Sequence, residues 1–445
     1  MTVDVRPLPA PGAPWFPTWA IDSDDVTRRL RAAGLDVERA RPVYLRDKPG
    51  ETLVVGYDLT SGDHHERGYL RWCADPTRAA ADRRKGFAMA PAPCRLGPGV
   101  VGVGDQATLR VLPNDARLRR ARWYLTPRKL KRTLADLDHG GRRLSGSATS
   151  VQVLTYKPER RIVARLDLGY RDGHGTSVLL RHSARATAAT LATTVEHLRA
   201  HRVATARPIA QLERGAVGLD QFLHGIDLRA AASGPVRPEL VDVVAEQIAT
   251  LHRVPAPSGI GVRSRDAELS AAVRSLAWLR AHGVADPTLV ARMRRALIDT
   301  SRDAGATPPV VVHGDLHDRN VLVDPDAAGG PRAYLIDLER ASVGEAALDL
   351  GRLLAIGMAA RLAGAVGPTH TRALTEIVRE VQARSGGGGT APDVLALHVA
   401  IGLVDAALTA ARHLDTLTDP RVVDRLLGAA LDVIRDPGAT SVGPV

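Results

Sequence analysis

The chain has 445 residues, enough for two or three domains, and 44% of them are hydrophobic, enough to fill real cores. Aromatics make up only 3% and cysteines number two (Cys73 and Cys94), so the cores must be aliphatic, and neither a disulfide framework nor a cysteine-rich metal site is expected. Charge is uneven: residues 1–220 hold 37 basic and 23 acidic residues, whereas residues 221–445 hold 23 and 26.

A basic front half can attract nucleic acid, but its bases are scattered and stacking aromatics are scarce. No nucleic-acid partner is expected. No run approaches 18 apolar residues and no leader pattern opens the chain, so neither a membrane span nor a membrane partner is expected. Scarce cysteine points to a reducing, cytoplasmic setting. The oligomeric state is not legible.

In chain order, a proline-rich arm (Pro7, Pro9, Pro11, Pro14, Pro17) precedes a helical stretch at 24–33, and strand-rich sequence follows. An internal repeat then links two regions. Val43-Tyr44-Leu45-Arg46-Asp47-Lys48-Pro49 leads to an apolar run at 53–59 and then to Tyr69-Leu70-Arg71. Val151-Gln152-Val153-Leu154-Thr155-Tyr156-Lys157-Pro158 leads to a run at 162–168 and then to Val178-Leu179-Leu180-Arg181. Lys-Pro and Asp-Leu recur 109 residues apart and Leu-Arg recurs 110 apart. Each copy reads as a hairpin turning near Lys-Pro, followed by a third strand ending in Leu-Arg. Between the copies, Gly97-Pro98-Gly99-Val100-Val101-Gly102 fits G-x-G-x-x-G. It precedes a strand rather than opening a helix, so it reads as a loop and not as a dinucleotide site.

A helix at 187–200 follows the second copy, with Leu191, Val195 and Leu198 at helical spacing and Glu196 as its one acid. The region from Phe222 onward reads as mainly helical, with candidate helices at 238–252, 266–282, 287–300, 346–362, 369–384, 392–413 and 420–434. The run Gly386-Gly387-Gly388-Gly389 breaks two of them apart. Lysine occurs only at 48, 85, 129, 131 and 157, so the Walker loop G-x-x-x-x-G-K-[ST] is absent.

The sharpest pattern is His313-Gly314-Asp315-Leu316-His317-Asp318-Arg319-Asn320, set between valine runs at 310–312 and 321–323. It reads as a turn between strands. A third apolar run ends in Ile336-Asp337-Leu338-Glu339. Phosphoryl transfer from ATP needs this set of groups. One carboxylate orients and deprotonates a hydroxyl, while an amide and a second carboxylate hold Mg²⁺ on the phosphates. Asp315 is the expected base, and Asn320 and Asp337 are the expected Mg²⁺ ligands. Glu339 is expected at the metal or the acceptor. His313 is expected to pin the loop, and His317 and Asp318 to lie exposed in it. A polar-tipped β-turn is the bland alternative, and the joint pattern of strands and spacings weighs against it.

This arrangement resembles the aminoglycoside phosphotransferase and choline kinase superfamily, the small-molecule relatives of protein kinases. The likeness is strongest over residues 310–354 and extends more weakly back to about Ser150. It implies an α+β, protein-kinase-like bilobal fold with a small antiparallel-sheet N-lobe and a mainly helical C-lobe. An extra N-terminal α+β cap, as in the maltokinase-like branch, fits the length. The implied division is a cap at 1–138 that is a degenerate repeat of the N-lobe, an N-lobe at 139–220, and a C-lobe at 221–445 carrying the catalytic loop and acceptor pocket.

The resemblance further implies ATP and Mg²⁺ as cofactors and a small hydroxylated molecule as acceptor. Arg181 or Lys157 would face the α/β-phosphates and pair with Glu196. Asp349 would brace the catalytic loop from the following helix, and His252 would buttress it. The segment 207–228 would supply the hinge to adenine. One departure stands out: Lys157-Pro158-Glu159-Arg160-Arg161 contains no glycine where kinases carry a glycine-rich phosphate loop. The expected reaction is phosphorylation of a sugar or amino sugar. The alternatives are an aminoglycoside or other antibiotic O-phosphotransferase, and a catalytically silent pseudokinase or regulatory binding module.

Overall fold

A computed structural model describes residues 16–48, 50–89, 91–137, 139–385, 390–412 and 421–440. Pro7, Pro9, Pro11, Pro14, Pro49 and the glycine run 386–389 lie outside the described residues. The chain forms two compact units. The first comprises residues 1–189, 209–222 and 412–415, and the second comprises 190–208, 223–411 and 416–445.

In the first unit, Asp22 caps α1 (Ser23–Ala32) by accepting from the backbone N–H groups of Asp24 and Asp25. A five-stranded sheet follows: β1 (Arg39–Lys48), β2 (Thr52–Ser61), β3 (His64–Cys73), then α2 (Pro76–Ala88), β4 (Val100–Val103) and β5 (Ala107–Val111). Its order is β1-β2-β3-β5-β4. Leu53, Val55, Tyr57 and Leu59 alternate along β2 and pack with Val26 and Leu30 of α1.

Two short helices, α3 (Ala121–Tyr124) and α4 (Pro127–Thr133), lead to a second sheet. Its strands are β6 (Ser150–Lys157), β7 (Arg161–Gly169) and β8 (Gly175–Ser183). After α5 (Ala188–Ala200) come β9 (Pro208–Leu212) and β10 (Val217–Gln221). Its order is β6-β7-β8-β10-β9. Ile162, Ala164, Leu166 and Leu168 alternate along β7 and bury one face with Leu118 and Leu130.

The two sheets therefore share one topology, with a helix after the third strand and a register shift in the first strand of each (Pro42/Tyr44 and Val153/Thr155). They meet at the β6–β7 turn. Buried Glu159, at φ 60°, accepts from Arg46 (2.6 Å) and Arg71 (2.7 Å) of the first sheet. Asp115 accepts from Tyr156 Oη and from the Glu159 N–H, both at 2.8 Å. The segment that lacks a glycine loop is thus clamped from below.

The second unit is mainly helical. β11 (Ile226–Asp227) and α6 (Leu228–Ala231) precede α7 (Pro238–Arg253), β12 (Gly261–Val262), α8 (Arg265–Ala281) and α9 (Pro287–Asp303). Then come β13 (Pro309–Val312), β14 (Val321–Asp324), β15 (Arg332–Leu335) and β16 (Ser342–Glu345). The unit closes with α10 (Ala346–Leu362), α11 (Pro368–Arg384), α12 (Pro392–Arg412) and α13 (Arg421–Arg435). Two three-stranded sheets, β11-β14-β15 and β12-β16-β13, hold the loops between these strands. Leucine, valine and alanine from α7 to α13 form a single core. Against expectation, α12 is long and apolar enough to cross a membrane. However, 72% of that stretch is buried within the protein, as in a core helix.

Candidate active site

The loop 313–320 connects β13 to β14, and the segment 336–341 connects β15 to β16. β13 and β16 pair antiparallel, with Val312 opposite Ser342, which brings the exits of both connections together. His313 is fully buried. Its Nε2 donates to the carbonyl of Ile336 (2.7 Å), and its Nδ1 accepts from the Asp315 N–H (3.3 Å). A backbone bond from the Ile336 N–H to the Asn320 carbonyl (3.0 Å) closes the other side. Asp315, Asn320 and Asp337 are thus carried on one tied scaffold.

The turn needs Gly314. It sits at φ +73°, and a Cβ there would lie 2.2 Å from the Arg340 carbonyl oxygen. Asp337 also adopts the left-handed region, at φ 59° and ψ 46°, without being glycine. Such backbone strain concentrates at functional sites.

Asp349, in the first turn of α10, is fully buried and accepts from the N–H groups of His313 (2.7 Å) and Gly314 (2.9 Å) and from His252 Nε2 (3.2 Å). Burial alone would raise its pKa. The His252 hydrogen bond and charge, with the loop N–H groups, outweigh burial and hold it below the ordinary range.

Asn320 Nδ2 donates to the Asp315 carbonyl (2.9 Å), which fixes the amide against the loop. The Asp315 carboxylate has Arg352 Nε at 2.8 Å and Arg340 Nη1 at 3.7 Å. Burial works to raise its pKa, but Arg352 and then Arg340 win and lower it. Glu339 is exposed.

Two expectations are corrected. Asp318 is not exposed. It is completely buried between Arg229 (2.7 and 3.0 Å) and His370 Nε2 (3.0 Å), and contact with His370 and with the Arg229 guanidinium holds its pKa near 2 despite desolvation. His317 is half-buried rather than exposed. The second correction concerns Arg181, whose partner is Asp220 (2.9 Å) rather than Glu196. In the antiparallel register Arg181 lies opposite Gly218, so Asp220, two residues on, projects from the same face of the adjoining strand. Asp220 is buried and Arg181 half-buried, so the guanidinium is paired within its own sheet. Glu196 is exposed on α5, and Lys157 is exposed at the end of β6.

Sequence reasoning missed Arg352, Asp405, Arg229 and His370. Only Arg352 carried a local signal, because it lies three residues after Asp349 on one helical face.

Among the described residues, no three His, Cys, Asp or Glu side chains cluster as a metal-holding group. Mg²⁺ in phosphoryl transfer is typically held by one or two protein oxygens plus phosphates and water, and Asn320 with Asp337 fits that smaller set.

No curated protein matches the chain. Several solved structures are similar to it. A choline/ethanolamine kinase family protein from Mesorhizobium loti is 16% identical, covering 72% of this chain and 96% of that one, with a TM-score of 0.42. A macrolide 2'-phosphotransferase from Brachybacterium faecium is 20% identical, with 72% and 99% coverage and a TM-score of 0.45. An ethanolamine kinase from Plasmodium vivax is 13% identical, with 73% and 97% coverage and a TM-score of 0.46. The model of the phosphotransferase enzyme family matches residues 142–384, which span the second sheet, the catalytic loop and Asp349. The chain belongs to the phosphotransferase enzyme family and is a small-molecule kinase.

Proposed function

We propose that the protein transfers the γ-phosphoryl group of ATP to a hydroxyl of a sugar or amino sugar, with Mg²⁺ held by Asn320 and Asp337. The observation that carries this reading is the tie between the two connections, in which His313 and the Asn320–Ile336 bond hold Asp315, Asn320 and Asp337 on one scaffold. Asp315 orients the acceptor hydroxyl and takes its proton. The acceptor oxygen forms its bond to Pγ while the bond from Pγ to the bridging oxygen breaks, and ADP leaves with that electron pair. When bound, Mg²⁺ neutralises charge on the phosphates. Glu339 contacts the metal or the acceptor. On the nucleotide side, Arg181, half-buried beside Asp220, and Lys157, exposed at the end of β6, are the basic groups assigned to the phosphates.

Acceptor class follows from charge. Asp315 and Asp405 are matched in charge by Arg352 and Arg340, so the acid beside the acceptor carries no negative excess of the kind a polycation needs. This weighs against an aminoglycoside and for a neutral or singly charged acceptor. Choline calls for an aromatic cage. Among Trp and Tyr, residues 221–445 contain only Trp278 and Tyr334, and Trp278 is stacked on His282. The shared topology of the two sheets supports reading the front sheet as an altered second copy of the N-lobe sheet. ATP as donor and two free cysteines support a cytoplasmic location.

The test is ADP release from Mg²⁺-ATP with glucose, glucosamine, maltose, an aminoglycoside or choline, with Asp315→Asn alongside. The expected result is release that depends on a sugar and falls at least ~100-fold in the variant. Release with the aminoglycoside alone would reassign the acceptor. Failure to bind Mg²⁺-ATP at all would point to a regulatory binding module.

A further inference from the structure

Helix α10 presents two side chains, one turn apart, to the catalytic loop. Asp349 holds the loop backbone at His313 and Gly314. Arg352 reaches the catalytic carboxylate itself, with Nε 2.8 Å from Asp315 Oδ1. The other prong of the same guanidinium, Nη1, donates to Asp405 Oδ2 at 3.0 Å. Asp405 comes from α12, 53 residues further along the chain. The side chains of Asp315 and Arg352 are 24% and 19% exposed, and Asp405 is 45% exposed. Arg340 stands further off, at 3.7 Å, and is more than half exposed.

We propose that Arg352 is a positioning residue for phosphoryl transfer: it fixes the Asp315 carboxylate toward the acceptor hydroxyl, and Asp405 aims the guanidinium. The proposal rests on Asp315 being the base.

Three points carry it. Among the described residues no side-chain hydrogen bond tethers Asp315 Oδ1. The hydrogen bonds of residue 315 run through its N–H and carbonyl, to His313 and Asn320, and set the backbone alone. The Nε–Oδ1 contact is an ion contact off the hydrogen-bond direction. It therefore holds the buried Oδ1 by charge and leaves Oδ2 for the hydroxyl proton. Lastly, a planar guanidinium can touch two carboxylates through separate N–H edges, which a lysine ammonium cannot do in this fixed geometry. A role for Arg352 in binding an anionic acceptor is weaker, because two carboxylates already neutralise it.

The experiment is steady-state ADP release from Mg²⁺-ATP, with glucose, glucosamine, maltose or water alone as acceptor. It compares wild type with Asp315→Asn, Arg352→Gln, Arg352→Lys, Asp405→Asn and the double variant Asp315→Asn/Arg352→Gln. The expected result for Arg352→Gln is a kcat at least ~30-fold lower with the KM for ATP within ~2-fold of wild type. Lysine restores part of kcat, and Asp405→Asn lowers kcat at least ~5-fold with the same unchanged KM. The double variant is no slower than Asp315→Asn, as for two residues acting at one point.

Arg352→Gln within ~3-fold of wild type, or a parallel rise in KM for ATP, would overturn the proposal while leaving Asp315 as the base. Asp315→Asn as fast as wild type, or no release with any acceptor, would instead remove the reading beneath it, and the proposal with it. Should Arg352→Gln fail to fold, Asp405→Asn decides, because an unchanged kcat there overturns the proposal.

Discussion

His313 Nε2 donates to the carbonyl oxygen of Ile336, the residue immediately before Asp337, at 2.7 Å. One buried imidazole thereby sets the distance between the segment carrying the base and the segment carrying a metal ligand. Because a carbonyl can only accept, the proton sits on Nε2, and Nδ1 is free to accept from the Asp315 N–H. His313→Ala is expected to lower kcat at least ~10-fold, since both hydrogen bonds and the buried volume go together. The check is kcat beside a thermal melt. A fully active, equally stable variant would show that the tie is dispensable.

Asp337 sits in a left-handed backbone conformation that a non-glycine residue adopts at a cost of roughly 1 kcal/mol or more. A carboxylate held there is expected to serve a ligand. Asp337→Ala should abolish the Mg²⁺-dependent part of ATP affinity. Titration calorimetry with ATP, run with Mg²⁺ and again with a chelator, measures it. Wild type should bind more tightly with Mg²⁺, and the variant should bind equally in both.

At Gly314 an added methyl group would strike the Arg340 carbonyl, and positive φ compounds the clash. Gly314→Ala is expected to destabilise the second unit by ~2–4 kcal/mol and to abolish turnover. Denaturant melts followed by fluorescence, in a background where Trp15, Trp19, Trp72 and Trp123 are replaced by Phe so that Trp278 alone reports, would read the unit. An unchanged midpoint would contradict the geometry.

The catalytic loop was legible because its chemistry is local: base, amide and flanking valines fall within 14 residues, 310–323. The helices from α7 onward were legible from their apolar period, whereas the bracing role of Asp349 came from the family resemblance rather than from spacing. The partners that tune those residues were not legible. Arg229 meets Asp318 across 89 positions, and Asp405 meets Arg352 across 53. No spacing rule reaches that far. The acid partner of Arg181 was misassigned for a related reason. Its position in β8 was clear, but the register against β10 decides which acid faces it, and register belongs to the sheet rather than to either strand.

Glu345 precedes α10 and accepts from Arg265 (2.5 and 3.1 Å), His398 Nε2 (2.8 Å) and Thr307 Oγ1 (2.8 Å). Desolvation would raise its pKa, but these donors bring it down to about 2. An acid whose folded pKa is depressed contributes stability above its unfolded value, near 4.5, and loses it as pH falls toward 2. After screening by solvent, the contribution is on the order of 1–2 kcal/mol at neutral pH. Glu345→Gln should therefore be less stable than wild type at pH 7, and the gap should close between pH 4.5 and 2. Urea melts across that range measure it. A gap that does not change with pH would assign the loss to packing instead.

The β6–β7 turn offers a separate stability test. Glu159 is buried against Arg46 and Arg71, so removing its charge leaves two guanidiniums without their acid. Both arginines retain some solvent contact, which softens the penalty. Glu159→Gln is expected to cost ~2–4 kcal/mol, and Glu159→Gln/Arg71→Met less than the sum of the single changes. Glu159→Gly separates two opposed effects. Its positive φ of 60° favours glycine by relief of strain, whereas loss of the carboxylate breaks the clamp. Breaking a buried ion pair outweighs relief of one left-handed residue, so the glycine variant should melt below wild type. A glycine variant as stable as wild type would mean that the turn is held by Asp115 and Tyr156 alone.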